Sequence, residues 1–350
     1  MRPDTYHPSV AICIPTYNQA HLLALAVTSA ARQSYTGPLE IWVGDDASTD
    51  DTPDVLAELV REVPNLHVLK QPKNLGIAAN SSALLRQPQV ELLVRLDSDD
   101  ELEPAYVARL STLMQDEPQA GYAHTQVLEI DEHGETKRVR RLIRGTGFQD
   151  AETALRASLS GYRTTANILM FRRDALERLG FYDARPEFVE DYDLSIRMAD
   201  AGYGNVYIDE TLARYRVWTD AAGMRARRKG LQLEGYRRIF DEVFAPAWER
   251  RGWDARELVR MRNKLAAHHC ASCFAEQYGA DEQAELMRLL LALADGPWVQ
   301  LRVRLCRLGL APTLGYAAWL PSQAKQTAKT LMSRTRRLIT RQSTDAHRGT

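Results

Sequence analysis

The feature that most constrains the fold is an alternation of short apolar runs and helical patterns in the first hundred residues. Runs typical of buried strands occupy residues 10–14, 39–43, 66–69 and 90–96. Patterns typical of amphipathic helices lie between them, at residues 20–33, 54–62 and 77–87. This alternation predicts a parallel sheet with right-handed crossovers, in which ligands lie beyond the carboxyl ends of the strands.

The pattern changes further along the chain. Residues 120–215 mix predicted strands with short helices. One of these helices opens at Glu190 and ends before Gly202, and two short strands, over residues 206–208 and 212–217, close the region. Residues after about 219 carry helical patterns throughout. We therefore predict an α/β fold with a mixed, mainly parallel sheet flanked by helices and a helical C-terminal region. The predicted regions are an α/β domain over residues 1–220, a helical region over 221–320 and a basic amphipathic tail over 321–350.

Composition is that of a soluble globular protein. The 350 residues are 45% hydrophobic and 26% charged with a net charge of -1, which excludes wholesale disorder and gives no indication of nucleic-acid binding. Because no apolar run reaches the ~18 residues of a membrane span, we expect a cytoplasmic protein. Residues 321–350 hold seven Lys or Arg and one acid. Such a tail either contacts an anionic membrane surface peripherally or is solvated, and the sequence leaves both open.

Acidic residues follow two of the predicted strands. Asp97 and Asp99 come directly after the fourth strand. Two carboxylates with this spacing can share a hard cation such as Mg²⁺ or Mn²⁺, which completes its shell with water and substrate phosphates. Alternatively, they are acids that favour the start of the next helix. Asp46, after the second strand, would accept hydrogen bonds from a nucleobase or ribose, or would be a solvated residue beside a helix cap.

A third acidic pair, Glu190 and Asp191, opens a predicted helix. Adjacent acids in an acidic site raise each other's pKa, which suits a general base. The alternative is again that they favour the start of the helix. Arg197 lies six residues after Asp191, where it would either bind a phosphate or lie on the surface.

Five segments resemble, in order, the motifs of family 2 glycosyltransferases of the GT-A fold. They are residues 10–18 (VAICIPTYN), 43–52 (VGDDASTDDT), 74–80 (NLGIAAN), 96–100 (LDSDD) and 190–197 (EDYDLSIR). The resemblance covers roughly residues 8–217 and leaves the helical region uncovered. It implies an inverting transfer of a sugar from a nucleotide-diphosphate donor to an acceptor hydroxyl, of the type that builds bacterial surface polysaccharides.

The resemblance also implies roles for individual residues. Asp191 would be the general base that deprotonates the acceptor hydroxyl. Asp97 and Asp99 would lie at the diphosphate and hold Mn²⁺ or Mg²⁺, with Asp99 as the main ligand. Contacts with the nucleotide-sugar would come from Pro15, Thr16, Tyr17, Asp46, Asn74, Gly76, Asp97, Glu190 and Arg197.

One position departs from the family's pattern. Trp218 stands where many members have a histidine near the metal, and an indole cannot ligate a cation, so the third protein ligand is open. The expected donor is a UDP- or dTDP-sugar. The expected acceptor is a lipid-linked or growing surface glycan at the cytoplasmic face of the membrane, recognised by a loop over residues 144–165 and the helical region.

Two other functional classes stay open on the sequence. A catalytically silent nucleotide-sugar binder or scaffold would use the same pocket without turnover. A nucleotidyltransferase would need a basic, glycine-rich phosphate loop after the first strand, and residues 16–22 contain neither glycine nor Lys or Arg.

Overall fold

The computed structural model describes residues 6–185, 189–218, 228–275 and 277–308. The chain divides between Leu258 and Val259 into two compact units. The helices over 229–250 belong to the first unit, although the sequence analysis groups them with the C-terminal region. The predicted tail over 321–350, with its amphipathic helix, lies outside the described residues.

In the described part of the first unit, ten strands form one mixed sheet. The strands are β1 (Val10–Thr16), β2 (Leu39–Asp45), β3 (Leu66–Lys70), β4 (Leu92–Arg95), β5 (Glu101–Leu102), β6 (Ala120–Ile130), β7 (Thr136–Arg140), β8 (Gly147–Gln149), β9 (Leu169–Arg172) and β10 (Gly204–Arg216). Their order across the sheet is β3-β2-β1-β4-β9-β6-β10-β5, with β7 beside β6 and β8 beside β10.

Helices flank this sheet, as the sequence predicts. In the first unit they are α1 (Ala20–Ala31), α2 (Thr52–Glu62), α3 (Ile77–Leu85), α4 (Tyr106–Asp116), α5 (Ala151–Ser158), α6 (Arg173–Leu179), α7 (Glu190–Asp200), α8 (Lys229–Arg238) and α9 (Ala245–Arg250). A π-helical turn, Ile239–Phe244, joins α8 to α9. The chain continues as α10 (Ala255–Cys270), α11 (Ala280–Leu293) and α12 (Pro297–Arg307), which confirms the helical C-terminal region.

The long pairings in the sheet are parallel. β1 pairs in parallel with β2 and with β4, and β2 pairs in parallel with β3. β6 and β10 form a second parallel pair, and antiparallel β9 lies between β4 and β6. Since parallel strands run in one direction, the carboxyl ends of β1, β2 and β4 meet at the same edge, where ligands of such sheets bind.

Apolar patterning explains this part of the fold. Every residue of β1 is buried, as expected for a central strand covered on both faces. Helix α1 buries the face that its pattern predicts, namely Leu22, Leu23, Ala26, Val27 and Ala30. Full burial of a Leu or Val side chain contributes about 1.5–3 kcal/mol. Helix α2 has Pro53 in its first turn, where the missing N–H costs no helical hydrogen bond.

Two elements differ from the sequence prediction. β10 is one long strand where the sequence predicts two short ones. The prediction divided it where the register of β10 with β6 shifts, between Ile208 and Thr211. This bulge places polar residues in an otherwise apolar pattern. The predicted loop over 144–165 contains α5, whose start is capped by Asp150 accepting a hydrogen bond from the N–H of Thr153 at 2.9 Å.

In the second unit, buried cysteines lie between helices. The sulfurs of Cys270 and Cys306, on α10 and α12, are 3.7 Å apart. None of the helices in the described ranges combines the length and the apolar character needed to cross a membrane.

Candidate active site

A cavity of about 510 Å³ opens at the edge of the sheet where β1, β2 and β4 end. Of the residues that the sequence predicts for the site, those that line the cavity are Pro15, Thr16, Tyr17, Asp46, Asn74, Gly76, Asp97 and Asp99. Gln19, Ser98, Ala184 and Arg228 also line it. Glu190, Asp191 and Arg197 are not among the lining residues.

The loop after β1 is fixed by contacts with the loop after β2. Asn18 takes a left-handed φ of 52°, which asparagine tolerates better than most residues. Its side-chain oxygen accepts a hydrogen bond from the N–H of Thr49 at 2.8 Å, and its own N–H donates to the hydroxyl of Ser48 at 3.0 Å. The hydroxyl of Thr16 is buried without a partner in the described structure. It can therefore bond a ligand in the cavity.

Asp46 holds the loop that forms one side of the cavity. Its two oxygens accept hydrogen bonds from the N–H groups of Leu75 at 2.8 Å and Gly76 at 2.9 Å. Gly76 has a φ of 83° and a ψ of 161°, a conformation that is essentially restricted to glycine. The structure thus gives Asp46 a role in shaping the cavity, in addition to the base or ribose contact that the sequence predicts.

Asp97 and Asp99 differ in their surroundings. The two oxygens of Asp97 accept hydrogen bonds from Arg95 at 2.9 Å and from Asn167 at 3.2 Å. Oδ2 of Asp99 accepts one from the indole N–H of Trp218 at 2.8 Å. Burial and the nearby Asp97 carboxylate raise the pKa of Asp99, and the indole N–H opposes this shift.

These residues fit a divalent cation through Asp99. Among the residues that the structure describes, no three His, Cys, Asp or Glu side chains form a protein-only metal site. Oδ1 of Asp99 accepts no hydrogen bond from another described residue, and a bound cation would favour the charged carboxylate that burial disfavours. Mg²⁺ is commonly held by one or two carboxylates together with substrate phosphates. Each oxygen of Asp97 accepts one hydrogen bond, and Trp218 acts as a hydrogen-bond donor, not as a ligand.

Asp191 lies in the first turn of α7, where Arg95 and Tyr182 hold it. Both donate to its Oδ1, Arg95 through Nη1 and the Tyr182 hydroxyl at 2.9 Å. Because Arg95 also donates to Asp97 through Nη2, one guanidinium links Asp191 to the wall of the cavity. Burial raises the pKa of Asp191, and the charge of Arg95 opposes that shift.

Glu190 has a different electrostatic environment from its neighbour. Burial and the Asp191 carboxylate raise the pKa of Glu190 to about 7. Its Oε2 is buried and has no hydrogen-bond partner within the described ranges. Burial thus raises the pKa of both adjacent carboxyls, and a raised carboxyl pKa suits a general base. Asp191, whose carboxylate is paired with the guanidinium of Arg95, is the better candidate for the ionised base.

Arg197 lies elsewhere. It donates to Asp193 at 2.6 Å and to the carbonyls of Leu179 and Phe181 at 2.9 Å each. These contacts tie α7 to the end of α6, so Arg197 is not part of the site that we describe. Sequence reasoning missed Arg95, Tyr182 and Asn167. Only Arg95 leaves a signal, a charged residue in a buried strand two positions before Asp97.

A mixed α/β sheet with carboxylates at its parallel strand ends, around a cavity, is the arrangement that the resemblance to GT-A proteins predicts. The family model for glycosyl transferase family 2 matches residues 11–180, and over this stretch the chain resembles that family.

Two curated relatives show what the chain is similar to. An N-acetylglucosaminyltransferase of Mesorhizobium japonicum is 31% identical over 219 residues, which are 59% of this chain and 51% of that protein. A GalNAc(5)-diNAcBac-PP-undecaprenol beta-1,3-glucosyltransferase of Campylobacter jejuni is 37% identical over 118 residues, 33% of this chain and 37% of that protein. The chain spans about half the length of the N-acetylglucosaminyltransferases that it matches.

Solved structures confirm the fold. The structure of S. aureus TarS 1-349 in complex with UDP-GlcNAc has a TM-score of 0.64 at 16% identity, covering 89% of this chain and 87% of that one. The mannosyltransferase PcManGT from Pyrobaculum calidifontis, in complex with GDP-Man and Mn²⁺, has a TM-score of 0.53 at 21% identity, covering 90% of this chain and 87% of that one.

Proposed function

We propose that the chain is an inverting glycosyltransferase that moves a hexose or N-acetylhexosamine from a UDP-sugar to an acceptor hydroxyl. The observation that carries this proposal is that one buried guanidinium, that of Arg95, holds both Asp97, which lines the cavity, and Asp191. The donor cavity and a candidate base are therefore adjacent in the fold. The N-acetylglucosaminyltransferase relatives and the UDP-GlcNAc complex of TarS support UDP over dTDP.

In this proposal the cavity binds the donor. The nucleotide lies between Tyr17, which is half exposed, and the loop over 74–80, and the hydroxyl of Thr16 bonds to it. The diphosphate lies at Asp99. Mn²⁺ or Mg²⁺, when bound to Asp99 and the diphosphate, stabilises the negative charge of the leaving group.

The acceptor is then activated by Asp191. Its carboxylate accepts the proton of the acceptor hydroxyl while the oxygen attacks the anomeric carbon from the face opposite to the diphosphate. A single displacement of this kind inverts the configuration and needs one base.

We further propose that the acceptor is a lipid-linked or growing surface glycan. The Campylobacter jejuni relative, whose name includes an undecaprenol-linked substrate, supports this choice. The basic residues of the tail over 321–350 would attract an anionic membrane surface.

Calorimetric binding of UDP, GDP, dTDP and CMP, with and without Mn²⁺, tests the donor assignment. We expect UDP to bind best, and Mn²⁺ and an intact Asp99 to be needed for full affinity. Asp99→Ala should lose the effect of Mn²⁺, whereas Asp116→Ala, an exposed residue at the end of α4, should behave as wild type. Binding of no nucleotide would overturn the proposal. Binding without any release of UDP from UDP-sugars and sugar acceptors would favour the silent binder.

A further inference from the structure

The base candidate is held by an arginine that is almost completely buried. Arg95 is the last residue of β4, and it is 2% exposed. A buried guanidinium is costly unless anions and hydrogen-bond acceptors compensate it. Here Asp97 and Asp191 each accept a hydrogen bond from it, and the ring of Tyr182 lies 5.2 Å from its central carbon.

The donors to Asp191 are not shared evenly between its two oxygens. Arg95 and the hydroxyl of Tyr182 both donate to Oδ1. The hydroxyl of Tyr182 is itself 3.3 Å from Nη1 of Arg95. Oδ2 of Asp191 accepts no hydrogen bond from a residue in the described ranges. The carboxylate is thus fixed through one oxygen and presents the other.

We propose that Arg95 and Tyr182 are positioning residues that hold Asp191 by Oδ1 and leave Oδ2 as the oxygen that takes the proton of the acceptor hydroxyl. This inference rests on the proposed function. As the acceptor oxygen forms its bond to the anomeric carbon, its proton passes to Oδ2. The bond from the anomeric carbon to the diphosphate breaks, and its electron pair leaves with the diphosphate.

The same guanidinium fixes the donor side. Nη2 of Arg95 holds Oδ1 of Asp97, and Asn167 holds its other oxygen. Arg95 is the last residue of β4, a central strand whose backbone is held on both sides by β1 and β9. The base and the cavity wall are therefore both attached to one rigid point, which favours a fixed distance between donor and acceptor.

Tyr182→Phe is the sharpest test, because it removes one hydroxyl that contacts Asp191 and Arg95 and does not line the cavity. Tyr106→Phe is the matched control, since Tyr106 is also buried and its hydroxyl donates to the carbonyl of Ile168 at 3.3 Å. The assay is the release of UDP from UDP-GlcNAc, in water and with simple sugar acceptors, combined with calorimetric binding of UDP. We expect Tyr182→Phe to lower kcat about tenfold and to leave the KM for the donor unchanged. A tenfold loss of kcat corresponds to the free energy of about one hydrogen bond.

Two further variants separate positioning from a structural role. Arg95→Lys should lower kcat about a hundredfold and also weaken UDP binding, because it disturbs both carboxylates. In an Asp191→Asn background, Tyr182→Phe should have no further effect, since the group that it positions no longer acts as a base.

The pH profile gives a readout that a folding defect would not move. Asp191 faces Arg95, Asp97, Tyr162, Tyr182 and Glu190. Loss of the Tyr182 hydroxyl removes a donor to the charged form of Asp191, so the acid limb of kcat/KM should shift to higher pH.

The outcomes are distinct. If Tyr182→Phe matches Tyr106→Phe in kcat and pH profile, or if it weakens UDP binding as much as turnover, the positioning role is overturned while the proposed function stands. If wild type neither binds UDP nor releases it, the proposed function fails and this inference fails with it.

Discussion

Glu190→Gln offers a direct measure of the electrostatics of the site and needs no knowledge of the substrate. The side chain is buried, its Oε2 has no partner in the described structure, and it lies beside Asp191. Glutamine keeps the shape and removes the charge. We therefore expect the variant to be more stable than wild type at neutral and alkaline pH, and the advantage to disappear in acid.

The magnitude follows from the shift in pKa. Burial and the charge of Asp191 raise the pKa of Glu190 from 4.5 to about 7. At 1.36 kcal/mol for each pKa unit, this difference is about 3 kcal/mol. Below 4.5 the carboxyl is protonated in both the folded and the unfolded chain, so it costs nothing. As pH rises from 4.5 to 7, the unfolded chain loses its proton first, and the stability of wild type falls. Above 7 the full penalty is present.

The assay is urea unfolding of both proteins at several pH values between 5 and 8. The free energy of unfolding of Glu190→Gln minus that of wild type should grow by about 2–3 kcal/mol across this range. Glu58→Gln, at an exposed position on α2, provides a matched control for the same change on the surface. In an Asp191→Asn background, this difference in the free energy of unfolding should grow less with pH, since the Asp191 charge that raises the pKa of Glu190 is gone. A difference for Glu190→Gln that stays constant with pH would refute the reasoning.

Two other predictions concern the walls of the cavity. Gly76→Ala should cost about 1–3 kcal/mol of stability, measured by urea unfolding, and should weaken UDP binding, because the backbone there has a φ of 83°. Gly145→Ala, in open space, should do neither. Equal effects of the two substitutions would contradict the argument. Trp218→His should increase, at least tenfold, the factor by which Mn²⁺ strengthens UDP binding in calorimetry, because an imidazole beside Asp99 can ligate the cation. Trp298→His, at an exposed position, is the control. An unchanged effect of Mn²⁺ in Trp218→His would show that position 218 does not face the ion.

Local periodicity predicted the elements that carry their own hydrophobic signal. β1 and the buried face of α1 follow the sequence closely, because each buries apolar residues in a strict pattern. β10 was divided in the prediction, since the register shift after Ile208 places polar residues inside the strand. Helix α5 was missed because it has only eight residues, and its position depends on the Asp150 cap and on packing.

In the candidate site, too, local sequence patterns predicted only part of the arrangement. The position of parallel strand ends at one edge predicted that Asp46, Asp97 and Asp99 lie around one cavity, and the structure brings them together. What each carboxylate contacts could not be predicted, because those contacts come from distant segments. Asp46 holds Leu75 and Gly76, and Asp99 accepts from Trp218, 119 positions away. These partners leave no trace in local spacing.

Arg95 shows how far a sequence signal of this kind can lead. Its position at the end of an apolar run means that a guanidinium is buried, and a buried charge of this size is costly unless anions and hydrogen-bond acceptors compensate it. The sequence could supply Asp97 as one of them, because it is two residues away. A single carboxylate at the end of a strand does not enclose a guanidinium, so further acceptors had to come from elsewhere in the chain. One of them is Asp191, 96 positions later. A charged residue inside a buried strand therefore predicts that acceptors from distant segments share its site, and for Arg95 one of these acceptors is the acid that the resemblance marks as the base.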